Sequence, residues 1–291
     1  MCDFKYYYNC RDDAKLRAAF HSVSQRVFRV DFERWYQTGL WPDNYDAIVV
    51  LEGDVPVAGI GVYETPLYID GRMIKAAQLG CVGVHPDYRK RGLSRLLMEA
   101  VFKKYRNRVD FIYLFTGQDN REFYPLFGFQ KQPMQQFFIN TDGMNASGTA
   151  RLLDMNEKAD FELMMKVASS RYERDNPIGI RDFSAVLAWR VLSMANEQKY
   201  YLPEQDAIVI SRSKQAVIEI VDVISSRPLS FSAVWNAVGN VAATSCTIRF
   251  TPDFTDDPQC GISDEPYLIF YGLPLLELPK SPYFFAQSQY V

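Results

Sequence analysis

The chain is poor in histidine and its cysteines form no pattern, and each shortage narrows the chemistry open to it. Its two histidines, His21 and His85, leave little material for a histidine-based triad or a metal site, and no metal is expected. Five cysteines, Cys2, Cys10, Cys81, Cys246 and Cys260, occur singly with no Cys-x-x-Cys pair. Neither a zinc centre nor a disulfide framework is indicated, and the chain reads as cytoplasmic. Cys81 reads as a small buried hydrophobe and not as a nucleophile. No apolar run reaches the ~20 residues of a membrane-spanning helix, and Met1 to Lys5 has no signal-like apolar core, so no membrane partner is expected. A Gly-x-x-x-x-Gly-Lys-Ser/Thr loop is missing, which disfavours nucleotide binding. With 32 basic and 35 acidic residues the formal charge is −3, and no dispersed basic stripe with interleaved aromatics suggests nucleic acid.

What the chain does have is size and one concentrated basic loop. Its 291 residues, 48% hydrophobic, suffice for two domains with their own cores. The loop is Arg89-Lys90-Arg91-Gly92-Leu93-Ser94, between a strand-like run (Gln78 to His85) and a helix-like run (Gly92 to Lys104). The first N–H groups of such a helix are unsatisfied, converge on one point and carry the positive end of the helix dipole. Gly92 would allow close backbone approach, Ser94 is small, and Arg89, Lys90 and Arg91 add cationic side chains. Together these features suit a pyrophosphate.

The stretch Gly80 to Ser94, Gly-Cys-Val-Gly-Val-His-Pro-Asp-Tyr-Arg-Lys-Arg-Gly-Leu-Ser, resembles motif A of the GCN5-related N-acetyltransferases (GNAT), whose loop reads Arg/Gln-x-x-Gly-x-Gly/Ala; Ser94 replaces the last small residue. Asn120 to Phe129, Asn-Arg-Glu-Phe-Tyr-Pro-Leu-Phe-Gly-Phe, resembles motif B. The wording around Arg89 to Leu93 is most similar to the Eis-like branch. The resemblance covers about the first half of the chain and implies a mixed, largely antiparallel sheet flanked by helices. It also implies acetyl-CoA as acyl donor and an amine, expected to be a small molecule, as acceptor. Val82, Gly83 and Val84 would pair with the pantetheine arm, the N–H of Val82 would polarise the thioester carbonyl, and Lys90 to Arg95 would hold the pyrophosphate. Tyr124 would protonate the departing thiolate. Asn120, at the start of a motif B helix, would contact the cofactor arm or cap that helix.

The base that must take the amine proton is not obvious, because Met73 to Val84 contains no carboxylate. Glu64, Glu52, the C-terminal carboxylate of Val291 or a water chain ending at one of them stay open, as does a non-catalytic acyl-CoA-binding sensor or scaffold. Acceptor specificity would come from Asp31 to Asn44 and Glu64 to Gly71. There Trp35, Tyr36, Trp41 and Tyr68 offer walls and Asp31, Glu33, Asp43 and Asp70 offer charge, although core packing explains most of the aromatics more simply.

Hydrophobic spacing predicts a strand over Phe4 to Tyr8, a helix over Asp12 to Val30 capped by Asp12 or Asp13, and a second helix over Asp31 to Leu40. Antiparallel strands over Tyr45 to Leu51, Pro56 to Tyr63 and Met73 to Val84 follow, then a helix, a strand over Phe111 to Thr116, and a helix and a strand. The small polar stretch Asn140 to Thr149 places a boundary, giving 1–143 as the acetyltransferase domain and 144–291 as a second α/β domain. Beyond it, helices are expected over Lys158 to Glu173, Asp182 to Asn196 and Phe231 to Val241, and strands over Ala207 to Ile210 and Ala216 to Ile224. This partial repeat reads as a degenerate GNAT-like domain, since Ser225 to Ser230, where a second pyrophosphate loop would fall, has no glycine and contains Pro228. Such a half would shape the substrate cleft or a homo-oligomer interface. The acidic pairs Asp256-Asp257 and Asp264-Glu265 read as solvated loop charge, and the Pro- and aromatic-rich end as a segment packed along a domain.

Overall fold

A computed structural model describes residues 4–174, 176–214, 216–240, 242–263 and 268–291; the Asp264-Glu265 pair lies outside them. The first half opens with β1 (Phe4–Tyr7), α1 (Ala14–Phe28) and α2 (Phe32–Gln37). Asp13 caps α1, its carboxylate accepting from the N–H groups of Lys15 and Leu16 at 2.9 and 3.0 Å, and Asp31 caps α2 through Arg34 N–H. The meander β2 (Tyr45–Glu52), β3 (Val55–Ile69) and β4 (Arg72–Val84) follows. Asp70 and Gly71, both at positive φ, form the two-residue turn between β3 and β4, whose twist matches that of the strands it joins. Next come α3 (Leu93–Tyr105) and β5 (Phe111–Gly117). The expected motif B helix is absent. Two 3-10 turns, Gln118–Asn120 and Tyr124–Phe127, stand there, the second held between Pro125 in its first turn and Gly128 at φ 89°. Proline removes a donor and Gly128 ends the turn in the left-handed region, so no α-helix propagates.

The chain continues through β6 (Gln130–Gln132), β7 (Gln136–Asn140), β8 (Arg151–Leu152), α4 (Lys158–Ser169), β9 (Ile178–Gly179) and α5 (Ser184–Ser193). Then follow β10 (Gln198–Leu202), which the sequence pattern did not reveal, β11 (Ala207–Lys214), β12 (Val217–Ile224), α6 (Phe231–Val238), β13 (Ser245–Ile248), β14 (Gly261–Ser263) and β15 (Leu268–Leu273). Two sheets result. One runs β1-β2-β3-β4-β5-β15-β6 with β9 added beside β3, the other β14-β7-β13-β12-β11-β10-β8. Each contains one parallel pair joined through a helix, β4-α3-β5 in the first and β12-α6-β13 in the second, and each sets an antiparallel hairpin before that crossover. The fold is therefore mixed α/β built from two GNAT-like units.

The units trade strands. β7 precedes residue 143 yet pairs with β13 and β14 of the second sheet, while β15, late in the chain, lies between β5 and β6 of the first. Gly272 permits the β15 insertion, since a Cβ there would stand 2.3 Å from the Phe111 ring. Apolar packing divides along the two faces of the first sheet. One face, with Leu97 and Val101 of α3, forms its own cluster and includes Tyr124. The other face continues into the second unit, where Trp35 stacks on Trp41 at 5.1 Å and both approach the rest of an aromatic group that includes Phe32 and Trp189 of α5. Trp35 is fully buried and Trp41 nearly so. They are core and not acceptor walls, and truncating such a side chain costs about 3–5 kcal/mol.

Candidate active site

β4 and β5 run parallel from Ala76 opposite Phe111 to Leu79 opposite Leu114, and there they part. β4 continues to Val84 with β3 on one side and, among the described residues, no strand on the other. At the parting point the β3–β4 register slips, with Gly61 opposite Gly80 but Gly59 opposite Gly83, and Cys81 takes φ 48°. This is a bulge: one extra residue in β4 leaves the ladder and re-aims the backbone at Cys81 and Val82. Val82, Gly83 and Val84 thus carry an unpaired edge. Gly83 itself is covered by α1, where a Cβ would meet the Phe28 ring at 2.7 Å.

That edge leads into the basic loop. After a 3-10 turn at Pro86–Tyr88, Lys90 (φ 61°) and Gly92 (φ 81°) take left-handed conformations and α3 begins with no side-chain cap and no acid in its first turn. Nothing lies within 4 Å of a Cβ built on Gly92. Arg89, Lys90, Arg91, Gly92 and Arg95 are exposed, Ser94 is half-buried, and Leu93 turns its side chain into the core, so that Leu93 can offer a ligand only its backbone. Arg91 also bonds Glu52 at 2.8 Å and rests near the Phe4 and Tyr88 rings.

Tyr124 opens the second 3-10 turn on the α3 face and is 7% exposed. Its ring packs against those of Phe123, Phe129 and Tyr271. Burial, and then the nearby Cys81, push its phenol above the usual value of 10, so it stays protonated at neutral pH. Asn120 ends the first 3-10 turn. Its amide donates to Thr116 Oγ1 at 3.2 Å and its carbonyl accepts from Phe123 N–H, so it ties β5 to the turns and caps no α-helix.

The three carboxylates considered as base lie in different places. Glu64 pairs with Arg108, just beyond the C-terminal end of α3, at 2.7 Å. The helix length separates that end from the basic loop by about 20 Å. Glu52 faces Arg91 beside the loop. Val291 lies at the parting point, where its carbonyl oxygen is 2.3 Å from a Cβ built on Gly80 and its N–H donates to Gln78 Oε1 at 2.6 Å. Of the acids suggested for the acceptor, Asp31 caps α2, Glu33 pairs with Arg17 and Asp43 with Arg11. Tyr68 does line a cavity of about 630 Å³ between the β3–β4 hairpin and the 168–184 region, with Arg181 stacked on its ring at 3.9 Å and Gln289 in its wall.

Sequence reasoning missed Gln78, whose buried amide joins Tyr113 to the end of the chain, and Asp256. Asp256 is exposed loop charge as expected, but it also accepts from the N–H groups of Phe231 and Ser232 at 2.7 and 2.9 Å at the start of α6. Among the described residues no group of acidic, cysteine and histidine side chains could hold a metal, and no helix is long and apolar enough to cross a membrane.

Residues 14–131 match the acetyltransferase (GNAT) domain family model. No curated protein matches the chain. Among solved structures, the chain is similar to a conserved protein from Enterococcus faecalis V583 named a probable N-acyltransferase. The TM-score is 0.59 and the identity 16%, over 93% of this chain and 72% of that one. It is also similar to the GCN5-related N-acetyltransferases from Kribbella flavida (TM-score 0.52, 17%, 93% and 70%) and Anabaena variabilis ATCC 29413 (TM-score 0.52, 14%, 92% and 72%). At such identities the likeness is one of fold. The family match, the parted strands and the uncapped helix after them agree: the chain carries a GNAT acetyltransferase domain at residues 14–131 and is an acyltransferase.

Proposed function

We propose that the protein transfers an acetyl group from acetyl-CoA to a primary amine on a small molecule, by direct attack of the amine on the thioester. The observation that carries the reading is the continuity of one backbone path, from the unpaired edge Val82-Gly83-Val84 to the uncapped start of α3 at Gly92. The edge offers main-chain donors and acceptors to the amides of a pantetheine arm, as an added strand would. The N–H groups at the helix start, with Arg89, Lys90, Arg91 and Arg95 around them, suit the pyrophosphate. Leu93 and Ser94 contribute main-chain N–H groups, and Asn120 lies at the far side of the opening, on the turn after β5.

Tyr124 is the proton donor to the leaving thiolate. Burial keeps the phenol protonated, and the same desolvation raises the pKa of a thiol bound beside it, so the Tyr124 hydroxyl proton passes to the sulfur as the C–S bond breaks and is replaced from solvent; general acids of this kind contribute about 10²–10⁴-fold. The N–H of Val82, displaced by the bulge, is the oxyanion donor. For the base, Glu64 is committed to Arg108 at the opposite end of α3 from the basic loop and so is poorly placed, whereas Glu52 stands beside the loop through Arg91.

Calorimetry with acetyl-CoA, comparing wild type with Gly92→Trp, tests the cofactor path. Gly92 holds φ 81° with open space around it, so a bulky side chain both strains the turn and fills the anion position. Loss of binding supports the path, and unchanged binding removes the helix start from it. Tyr124→Phe is expected to keep acetyl-CoA affinity while kcat falls by about 10²-fold or more; full turnover would remove Tyr124 from the mechanism.

A further inference from the structure

The floor of the opening between β4 and β5 is built by the end of the chain. The residues that follow the last β4–β5 pair are Gly80 and Phe115. On the face away from α3, Val291 fills the space over Gly80, with its Cγ2 3.0 Å from a Cβ built there. The Tyr290 ring lies flat on Phe115, centroids 3.8 Å apart and planes within 8°. The segment is pinned from both units. Gln78 donates to the carbonyl of Gln289 at 3.1 Å and accepts from Val291 N–H, and the Gln289 amide exchanges two hydrogen bonds with the backbone of Ile180 at 2.8 and 2.9 Å. Tyr290 is 7% exposed, and its hydroxyl donates to the Phe285 carbonyl at 2.9 Å.

We infer that Tyr290, backed by Phe115, limits the acyl group this enzyme accepts to acetyl. The inference rests on the cofactor path proposed above, which brings the acyl carbons along Val82 toward Gly80 and so points them at this floor. Two rings in parallel contact leave no gap for further methylenes, and a floor held by five hydrogen bonds to Gln78, Ile180 and Phe285 has little freedom to move aside. A close-fitting apolar pocket distinguishes one methylene by about tenfold or more. Replacing the ring with a methyl group opens room for several methylenes directly beneath the thioester.

The test is calorimetry of CoA, acetyl-CoA, butyryl-CoA and hexanoyl-CoA with wild type, Tyr290→Ala, Tyr290→Phe and Phe115→Leu, each checked for folding by circular dichroism. Wild type is expected to bind hexanoyl-CoA at least tenfold more weakly than acetyl-CoA. Tyr290→Ala should bring the two within threefold while CoA affinity stays at the wild-type value, and Tyr290→Phe should keep the wild-type preference. Phe115→Leu, which loosens the floor without removing the tyrosine, should move the preference in the same direction as Tyr290→Ala. The inference is overturned if wild type binds all acyl chains equally, or if both folded, CoA-binding variants keep the wild-type ratio. Failure of wild type to bind CoA at all would overturn the cofactor path and this inference with it. Normal CoA binding without chain-length discrimination would overturn the inference alone.

Discussion

The first turns of α3 and α6 occupy corresponding places in the two units, each between a hairpin strand and the parallel strand that follows, yet their exposed N–H groups meet opposite fates. At α3, among the described residues, no side chain caps the turn, no acid lies in it, and the surrounding side chains are cationic. At α6 the position is filled: Asp256 takes the N–H groups of Phe231 and Ser232 and the Ser232 hydroxyl, and Ser230 Oγ takes Ala233 N–H at 3.2 Å. The strands ahead of the helices differ in the same way. β4 leaves an open edge at Val82 to Val84, whereas β12, beyond its last pair with β13, carries the fully buried Asp222, clamped by Arg171 and Arg174, and the Val223 carbonyl is taken by Arg174. One fold has thus been completed twice. In the second unit the protein's own carboxylates and guanidiniums occupy places that the first leaves open, and on the proposed function those open places are where the anionic ligand would bind.

Moving the acid from one helix to the other should break the contrast with the largest effect. Ser94→Asp puts a carboxylate into the first turn of α3, where it satisfies the same N–H groups and repels the pyrophosphate. Acetyl-CoA affinity is expected to fall by about 10²-fold, equivalent to about 2.7 kcal/mol, while Tm stays level or rises. Calorimetry and a thermal melt on one sample read both, and unchanged affinity would deny the helix start any part in binding. The reciprocal change, Asp256→Ala, removes one acceptor from the start of α6 and is expected to cost about 0.5–2 kcal/mol of stability in urea denaturation. It should create no CoA site, because Pro228 and Ser230 still shape that turn.

The same aspartate has a pH signature. Burial pushes the Asp256 carboxyl up, but the Ser232 hydroxyl and the N–H groups of Ser232 and Phe231 outweigh it, and the net shift is downward. Its folded-state pKa thus lies below the unfolded value of ~3.9. Its contribution is fully present above ~pH 4 and is lost as pH falls through the folded pKa. Asp256→Asn should therefore flatten part of the acid limb of the stability profile below ~pH 4 and leave the neutral region with a constant offset. An acid limb identical to wild type would assign that limb to other carboxylates.

Much of this contrast could be read from local sequence and the rest could not, for reasons that follow from chain distance. Capping by Asp13 and Asp31, the Asp70-Gly71 turn, the strand into Gly80 to Val84 and the start of α3 at Gly92 depend on neighbours within a few residues, and their chemistry is visible in the letters. Pro228 and the missing glycine in Ser225 to Ser230 are visible in the letters in the same way. Asp256 looked like one of two loop acids because its partner helix begins 25 residues earlier. The insertion of β15 between β5 and β6 and the passage of β7 into the second sheet have no local signal at all, since pairing is set by tertiary context. The motif B segment failed differently: the family resemblance suggested a helix, whereas Pro125 and Gly128 in this chain favour short 3-10 turns.

The smallest expected effect comes from Glu52, which is tied to the basic loop by its bond to Arg91. Unlike Asp256 it addresses a side chain and not the helix N–H groups, so it tempers the basic loop without filling it. Both partners are about one-third exposed, at 34% and 29%, so solvent screens the pair and its removal moves stability by less than about 1 kcal/mol. Glu52→Gln removes one negative charge beside the anion position, and acetyl-CoA affinity should rise about two- to fivefold at low salt, with the gain shrinking as ionic strength increases. Turnover should follow affinity with kcat unchanged. A large fall in kcat, rescued at high pH where the amine loses its proton unaided, would instead make Glu52 the base and place the catalytic carboxylate at the rim of the basic loop.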